Sequence, residues 1–139
     1  MILSFTVPGA PVSWARSAVV KGRTLKPAAS KAAIKRIQLF ALATGIRRWY
    51  WPLEGAFRVA VRSYYPSAVV GDSDRSVGLI LDALEGIAYH ADRQVRSQCG
   101  HIIADGSPPR VEVTVERLDV DPVQGVKRTR KTAKKAGMK

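Results

Sequence analysis

Two segments of alternating sequence constrain the fold of this chain more than any other feature. Residues 57–65, FRVAVRSYY, place apolar side chains at positions 57, 59 and 61 and arginines at positions 58 and 62. Residues 110–118, RVEVTVERL, repeat the pattern with valines at every second position. A period of two is typical of a β-strand with one buried face and one face in water. The chain should therefore form a sheet that carries its helices on one face only.

The other predicted elements complete this arrangement. A short strand alternates through residues 3–7, and another strand covers about 94–104. Ser30 is expected to cap a helix that runs to about Thr44, and a second helix is expected from Arg75 to Ile87. Each helix has an apolar stripe that should face the sheet: Ile34, Ile37 and Ala41 in the first, and Val77, Ile80 or Leu81, Leu84 and Ile87 in the second. The order β-α-β-α-β-β predicts an α+β two-layer sandwich, with a mixed sheet and both helices on one face.

Charge is distributed unevenly along the chain, whose formal net charge is +12. The first 53 residues contain nine Lys or Arg and no acidic residue, and all eleven carboxylates lie between Glu54 and Asp121. Lys and Arg that neutralise phosphates release condensed counterions, so this balance predicts nucleic-acid binding. A long basic loop, with room for a ragged hairpin, and the first helix supply the candidate phosphate contacts: Arg16, Lys21, Arg23, Lys31 and Lys35. A solvated basic surface is the alternative for the same residues.

The C-terminal segment differs from the rest of the chain. Residues 122–139 contain seven Lys or Arg and no acid, so they are expected to be a disordered basic tail behind a folded domain at 1–121. No apolar run approaches the ~18–20 residues of a membrane span, and the N-terminal residues do not resemble a signal peptide. The single cysteine excludes an intramolecular disulfide and a Cys-based zinc site. A cytoplasmic protein with no membrane partner is the expectation.

Three carboxylates stand out against this basic background. Asp72 and Asp74 precede the second predicted helix, and Asp92 follows it. Residues i and i+2 of an extended chain point to the same side, so Asp72 and Asp74 can reach one cation. Mg²⁺ takes carboxylate oxygens together with substrate phosphates. The alternative is structural: Asp74 is well placed as the helix N-cap, where the helix dipole favours negative charge, and Asp72 would be a turn residue.

The segment from Asp72 to Val95 resembles the RusA family of Holliday-junction resolvases, the crossover-junction endodeoxyribonucleases of bacteria and their phages. The matching motifs are a D-x-D at 72–74, DAL at 82–84, a glycine at 86, an acidic turn at Asp92, and QV at 94–95. The N-terminal VPGAPVSWARS, which includes Arg16, is also similar to the family's first strand and following loop. The resemblance implies that Asp72, Asp74 and Asp92 are the catalytic, metal-binding carboxylates, with Mg²⁺, or else Mn²⁺, as the cofactor.

The resemblance further implies a structure-selective DNA endonuclease that resolves four-way junctions in recombination and repair. Because a junction presents two equivalent strands, a two-fold homodimer with one site per strand suits it. The chain departs from the family at Gly78, where a lysine is usual, and at Ala91, where the acidic turn often has another aspartate. Arg75 is a candidate substitute for the lysine as a DNA phosphate ligand, or else it pairs with Asp74. A non-catalytic nucleic-acid-binding protein that retains the fold is the alternative function.

The third carboxylate can reach the other two in either of two ways. A helix from Arg75 to Ile87 is roughly 18–20 Å long, and the chain leaves for Asp92 from the end opposite to the D-x-D. Asp92 closes the site within one chain only if the helix ends early, near Glu85, and the return is almost fully extended. Otherwise Asp92 completes the site of a partner subunit, and this shared site is the favoured arrangement.

Overall fold

The structure is a computed structural model that describes residues 2–11, 18–20, 23–25, 28–44, 54–68 and 73–123, without the side chains at 18–20, 23–25, 28–29 and 73–74. Six strands and two α-helices follow one another in this order: β1 (Ile2–Pro8), β2 (Ala18–Val20), β3 (Arg23–Leu25), α1 (Ala28–Ala43), β4 (Phe57–Tyr64), α2 (Ser73–Leu84), β5 (Val95–Ile103) and β6 (Arg110–Arg117). Within the described residues, a 3-10 turn, Asp92–Gln94, leads directly into β5.

The main sheet has four strands in the order β1-β6-β4-β5. β6 pairs antiparallel with both β1 and β4, whereas β4 and β5 are parallel and are connected by α2. The predicted α+β architecture with a mixed sheet is therefore confirmed. β2 and β3 form a separate antiparallel hairpin inside the basic loop.

Both helices pack on the same face of the sheet, as the alternating strands predict. The inward side chains of β1, β4 and β6 are buried: Phe5, Val7, Phe57, Val59, Val61, Val111, Val113 and Val115. Burying one such side chain contributes about 1.5–3 kcal/mol to the free energy of folding. The opposite face is more polar, and Arg58 of β4 pairs there with Glu116 of β6 at 3.4 Å. The sheet therefore has one face that is buried beneath the helices and one face that is exposed to solvent.

The first helix begins earlier than the sequence indicates. α1 starts at Ala28, so Ser30 lies inside the first turn and is 1% exposed instead of acting as the cap. Alanine has the highest helix propensity, and Ala28 and Ala29 extend the helix beyond the serine. The predicted inward residues Ile37 and Ala41 are buried, and Ile34 packs against the same core.

The second helix is displaced toward the N-terminus relative to the predicted 75–87. α2 ends at Leu84 because the chain then turns back on itself: Gly86, with a φ of +81°, donates its N–H to the Tyr89 carbonyl at 2.7 Å. The N–H groups of Ile87 and Ala88 both donate to the Leu84 carbonyl. Ile87 is therefore buried as predicted, but it lies in a turn and not in the helix.

Candidate metal centre at the ends of helix α2

The β4–α2–β5 crossover determines where the candidate carboxylates lie. Ser76 and Leu79 of α2 line a small cavity together with Pro8 and Val111. Pro8 and Val111 lie at the same edge of the sheet as the last residue of β4. α2 therefore begins near the carboxyl end of β4. α2 then runs antiparallel to the two strands that it connects. Its other end therefore lies near the starts of β4 and β5, where Val95 pairs with Phe57.

Asp92 lies at this second end, three residues before Val95. The twelve residues of α2 rise roughly 16 Å at about 1.5 Å per residue. Two aspartates that bind one Mg²⁺ at about 2.1 Å have Cα atoms within roughly 11 Å of each other. The length of α2 alone thus exceeds this span, so a site within one chain requires the chain after Leu84 to return along the helix.

The D-x-D lies at the other end of α2. Asp72 is outside the described residues, and Asp74 is the second residue of α2, with a side chain that is not described. Asp74 is therefore not the N-cap, because the helix already begins at Ser73, and the extended geometry expected for the D-x-D does not apply to its last two residues. Asp74 therefore lies in the first turn of α2, where the helix dipole favours negative charge.

The turn that carries Asp92 is organised by the side chain of Gln94. Gln94 Oε1 accepts hydrogen bonds from the backbone N–H groups of His90 at 2.8 Å and Ala91 at 3.0 Å. Gln94 Nε2 donates to the carbonyl oxygen of Gly55 at 3.0 Å. Asp92 itself is exposed, and its carboxylate forms no hydrogen bond or ion pair with the other described residues.

Tyr89 anchors the chain just before this turn. Its side chain is fully buried, its hydroxyl donates to the Leu81 carbonyl oxygen at 2.6 Å, and its ring lies 5.9 Å from that of Phe57. Burial, followed by the charges of Asp92, Glu85 and Asp82, holds the pKa of Tyr89 well above its usual range. The phenol therefore remains a neutral donor at physiological pH, and negative charge is concentrated at this end of α2.

The donor set suits a hard divalent cation, since aspartate oxygens are the ligands that Mg²⁺ prefers. Within the part of the chain that the structure describes, however, no three His, Cys, Asp or Glu residues are grouped so that they could hold a metal ion. A complete site around Asp92 therefore needs further carboxylates, either from the D-x-D or from a second chain.

The predicted phosphate contacts are only partly described. Lys31 and Lys35 are exposed on α1, and Arg75 is exposed in the first turn of α2. Arg23 lies in β3, with a side chain that is not described, and Arg16 and Lys21 lie outside the described residues. The three lysine and arginine side chains on the helices are thus accessible to DNA.

Sequence reasoning assigned no role to several residues that build this region. Gln94 was noticed as part of a motif, but its partner Gly55 is 39 residues away, so its bonds could not be predicted from local sequence. Arg96 was missed as well: its Nε donates to Asp121 Oδ1 at 3.1 Å, and its Nη1 donates to the Arg93 carbonyl oxygen. The hydrogen bond from Arg96 lowers the pKa of Asp121, and the backbone N–H of Val123 adds to the effect. These hydrogen bonds attach the residues that precede the basic C-terminal segment to β5, next to the turn that carries Asp92.

Comparison with known proteins identifies the family. No helix in the described ranges is both long enough and apolar enough to cross a membrane. No curated protein matches the chain. The family model described as "Endodeoxyribonuclease RusA" matches residues 8–116, which include the D-x-D, Asp92 and Gln94. Because this match covers 109 of the 139 residues, the chain belongs to the RusA endodeoxyribonuclease family.

Proposed function

We propose that the protein is a Mg²⁺-dependent, structure-selective endonuclease that cleaves four-way DNA junctions as a homodimer, in recombination and repair. The observation that carries this proposal is the family match over residues 8–116, which spans all three candidate carboxylates. The basic composition supports it, because a net charge of +12 favours binding to a polyanion at near diffusion-limited rates.

In this proposal the three aspartates have one role in common. Asp72, Asp74 and Asp92 hold the divalent cation, for which Mn²⁺ is an alternative to Mg²⁺. When bound, the metal supplies an activated water and stabilises the leaving oxygen of an in-line displacement. The aspartates would place the metal at the scissile phosphate. Arg75 would offer a planar guanidinium to the same phosphate.

The path of α2 supports a site that is shared between two subunits. Because the length of α2 lies between the D-x-D and Asp92 along the chain, a shared site would bring the three aspartates together without a long return of the chain. A two-fold dimer would contain two equivalent sites, each formed by Asp92 of one subunit and the D-x-D of the other. Each site then cuts one of the two equivalent strands of a junction.

The basic residues are proposed to hold the arms of the junction. Lys31 and Lys35 are one helical turn apart on the exposed side of α1, where their mutual repulsion is relieved by a phosphate. Arg16, Lys21, Arg23 and the C-terminal tail are proposed to extend the same contact along the DNA backbone.

The experiment that tests the proposal compares a synthetic mobile four-way junction with a linear duplex of the same sequence. With Mg²⁺ or Mn²⁺ we expect symmetric nicks in the junction only, and with EDTA we expect binding without cleavage. Binding without cleavage in every metal would instead support the non-catalytic alternative. Equal cleavage of the duplex would contradict structure selectivity.

Gly78 provides a test of the missing lysine. A Cβ atom at this helical position would have no heavy atom within 4 Å, so a side chain fits there. Gly78→Ala should stabilise α2 by about 1 kcal/mol, which raises the thermal midpoint by roughly 3–5 °C. Gly78→Lys should fold equally well and cleave the junction roughly tenfold faster than Gly78→Ala, because it adds a cation that contacts phosphate. Equal rates for the two variants would show that the lysine is not needed in this chain.

Deletion of residues 124–139 tests the tail. The deletion removes seven positive charges but keeps Asp121 and its hydrogen bonds to Arg96 and Val123. We expect an unchanged thermal midpoint, weaker junction binding, and a salt dependence of log K reduced by several units, since each phosphate contact contributes about 0.9. A titration of affinity against salt concentration measures this slope, and an unchanged slope would exclude the tail from the interface.

A further inference from the structure

The turn that carries Asp92 has no hydrophobic support of its own. None of the three residues of the 3-10 turn Asp92–Gln94 is buried. The chain before it is fixed by the buried Tyr89, and the chain after it enters β5 at Val95. Within the turn, the backbone contributes the bonds from Gln94 N–H to the Ala91 carbonyl at 3.0 Å and from Val95 N–H to the Asp92 carbonyl. The conformation of the turn therefore depends on hydrogen bonds and not on packing.

The Gln94 side chain connects this turn to the rigid part of the sheet. Its carbonyl oxygen accepts from the two N–H groups that precede Asp92, while its amide nitrogen donates to Gly55. Gly55 has a φ of +110°, which favours glycine, and a Cβ atom there would lie 3.1 Å from Arg117 Nε. The neighbouring Ala56 carbonyl accepts from Leu118 N–H at 2.8 Å, which attaches this bend to the end of β6.

Glutamine is suited to this position because its amide combines two acceptor lone pairs with two donors. A glutamate would keep the bonds from His90 and Ala91 but could not donate to Gly55. A methionine of similar length would lose all three bonds. The Gln94 amide thus matches one backbone acceptor, the Gly55 carbonyl before β4, and two backbone donors, the N–H groups of His90 and Ala91 before Asp92.

We propose that Gln94 is a positioning residue for Asp92, which holds the Asp92 carboxylate in the orientation needed to bind the divalent cation. This inference rests on the proposed function, in which Asp92 is a metal ligand. Groups that orient a metal ligand change metal affinity or activity by about 10–100-fold when they are replaced. Gln94 would act in this way without contacting the metal or the DNA.

The test compares Gln94→Met with Gln38→Met in the full-length protein. Gln38 is a matched control, because its Nε2 also donates to a backbone carbonyl, that of Ala83 at 3.2 Å, but on the side of α2 that faces α1. Both variants lose side-chain hydrogen bonds to the backbone, and the thermal midpoint reports the loss of stability in each. Gln94→Glu serves as a second variant that retains the bonds to His90 and Ala91.

Two measurements separate positioning from stability. Amide hydrogen exchange at His90 and Ala91 should become at least about tenfold faster in Gln94→Met and remain unchanged in Gln38→Met, whether or not the protein cleaves DNA. The Mg²⁺ concentration for half-maximal junction cleavage, and the dissociation constant for Mn²⁺ by calorimetry, should rise about 10–100-fold in Gln94→Met only. Gln94→Glu should show protected amides at both positions and a smaller rise in both metal constants.

Each outcome decides between the two proposals. Unchanged amide exchange and unchanged metal constants in Gln94→Met, in a protein whose wild type cleaves junctions, would overturn the positioning role and leave the proposed function standing. Equal rises in Gln94→Met and Gln38→Met would show general destabilisation and would also overturn it. A wild type that neither binds Mn²⁺ nor cleaves would refute the proposed function itself, even if the amides at His90 and Ala91 respond as expected.

Discussion

Asp72→Asn, Asp74→Asn and Asp92→Asn are each expected to lose at least about 10³-fold in the rate of junction cleavage while junction binding is retained or becomes tighter. Each change removes a metal ligand, and a metal ion contributes several kcal/mol of transition-state stabilisation, of which about 1.4 kcal/mol corresponds to tenfold. The same change removes a negative charge that repels the DNA phosphates. Single-turnover cleavage and equilibrium binding, measured with the same junction, separate the two effects.

Asp119→Asn is the matched control for this series. Asp119 is exposed and follows β6, so its substitution makes the same change of charge outside the three candidate positions. It should cleave at the wild-type rate. Any of the three candidate variants that cleaves as fast as Asp119→Asn would thereby be excluded from the metal site.

Mixing Asp72→Asn with Asp92→Asn chains is expected to restore cleavage by more than 100-fold over either variant alone. In a shared site, each heterodimer has one centre with both substitutions and one centre with neither. Random exchange makes half of the dimers heterodimers, so about a quarter of all sites become intact. These heterodimers should nick one strand of the junction and leave the other uncut, which denaturing electrophoresis of separately labelled strands measures.

The control for the mixture is Asp72→Asn with Asp74→Asn. Both substitutions lie in the D-x-D of one chain, so no combination of these subunits contains an intact centre. This pair should remain inactive whether or not sites are shared. Continued inactivity of the Asp72→Asn and Asp92→Asn mixture, after chain exchange has been demonstrated by labelled subunits, would show that each chain holds a complete site.

The fold could be predicted to the extent that it follows from local periodicity. The alternation of β4 and β6 gave the correct buried faces and the single helical layer, because the side-chain period of a strand depends only on its own sequence. Helix boundaries were wrong by one to three residues, and the end of α2 in particular is determined by the bonds of Gly86 and Tyr89. The strand order β1-β6-β4-β5 was not predicted, because it depends on pairings between distant segments.

The candidate site could likewise be predicted only where it depends on local sequence. The three aspartates are proposed from residue chemistry and from the resemblance to a family, both of which are visible in the sequence, and their role stays a prediction. Whether Asp92 meets the D-x-D of its own chain or of a partner depends on the tertiary path of the chain after α2, which no local pattern specifies. The three bonds of Gln94 depend on how a bend before β4 meets a turn before β5, and no local pattern specifies that meeting.

The pairing of the first strand with the last one has a consequence for how the protein is made. Ile2 pairs with Glu116, and β6 lies between β1 and β4, so β1 lacks its partner and β4 can pair only with β5 until the ribosome has synthesised residues 110–117. Non-local pairing of this kind slows folding, because loop-closure entropy is lost before the contacts form. During that interval the nascent N-terminal half is a basic chain with no acidic residue before Glu54. The positive charge of this half is therefore not balanced by any carboxylate of the chain until the segment from Glu54 onward has been synthesised.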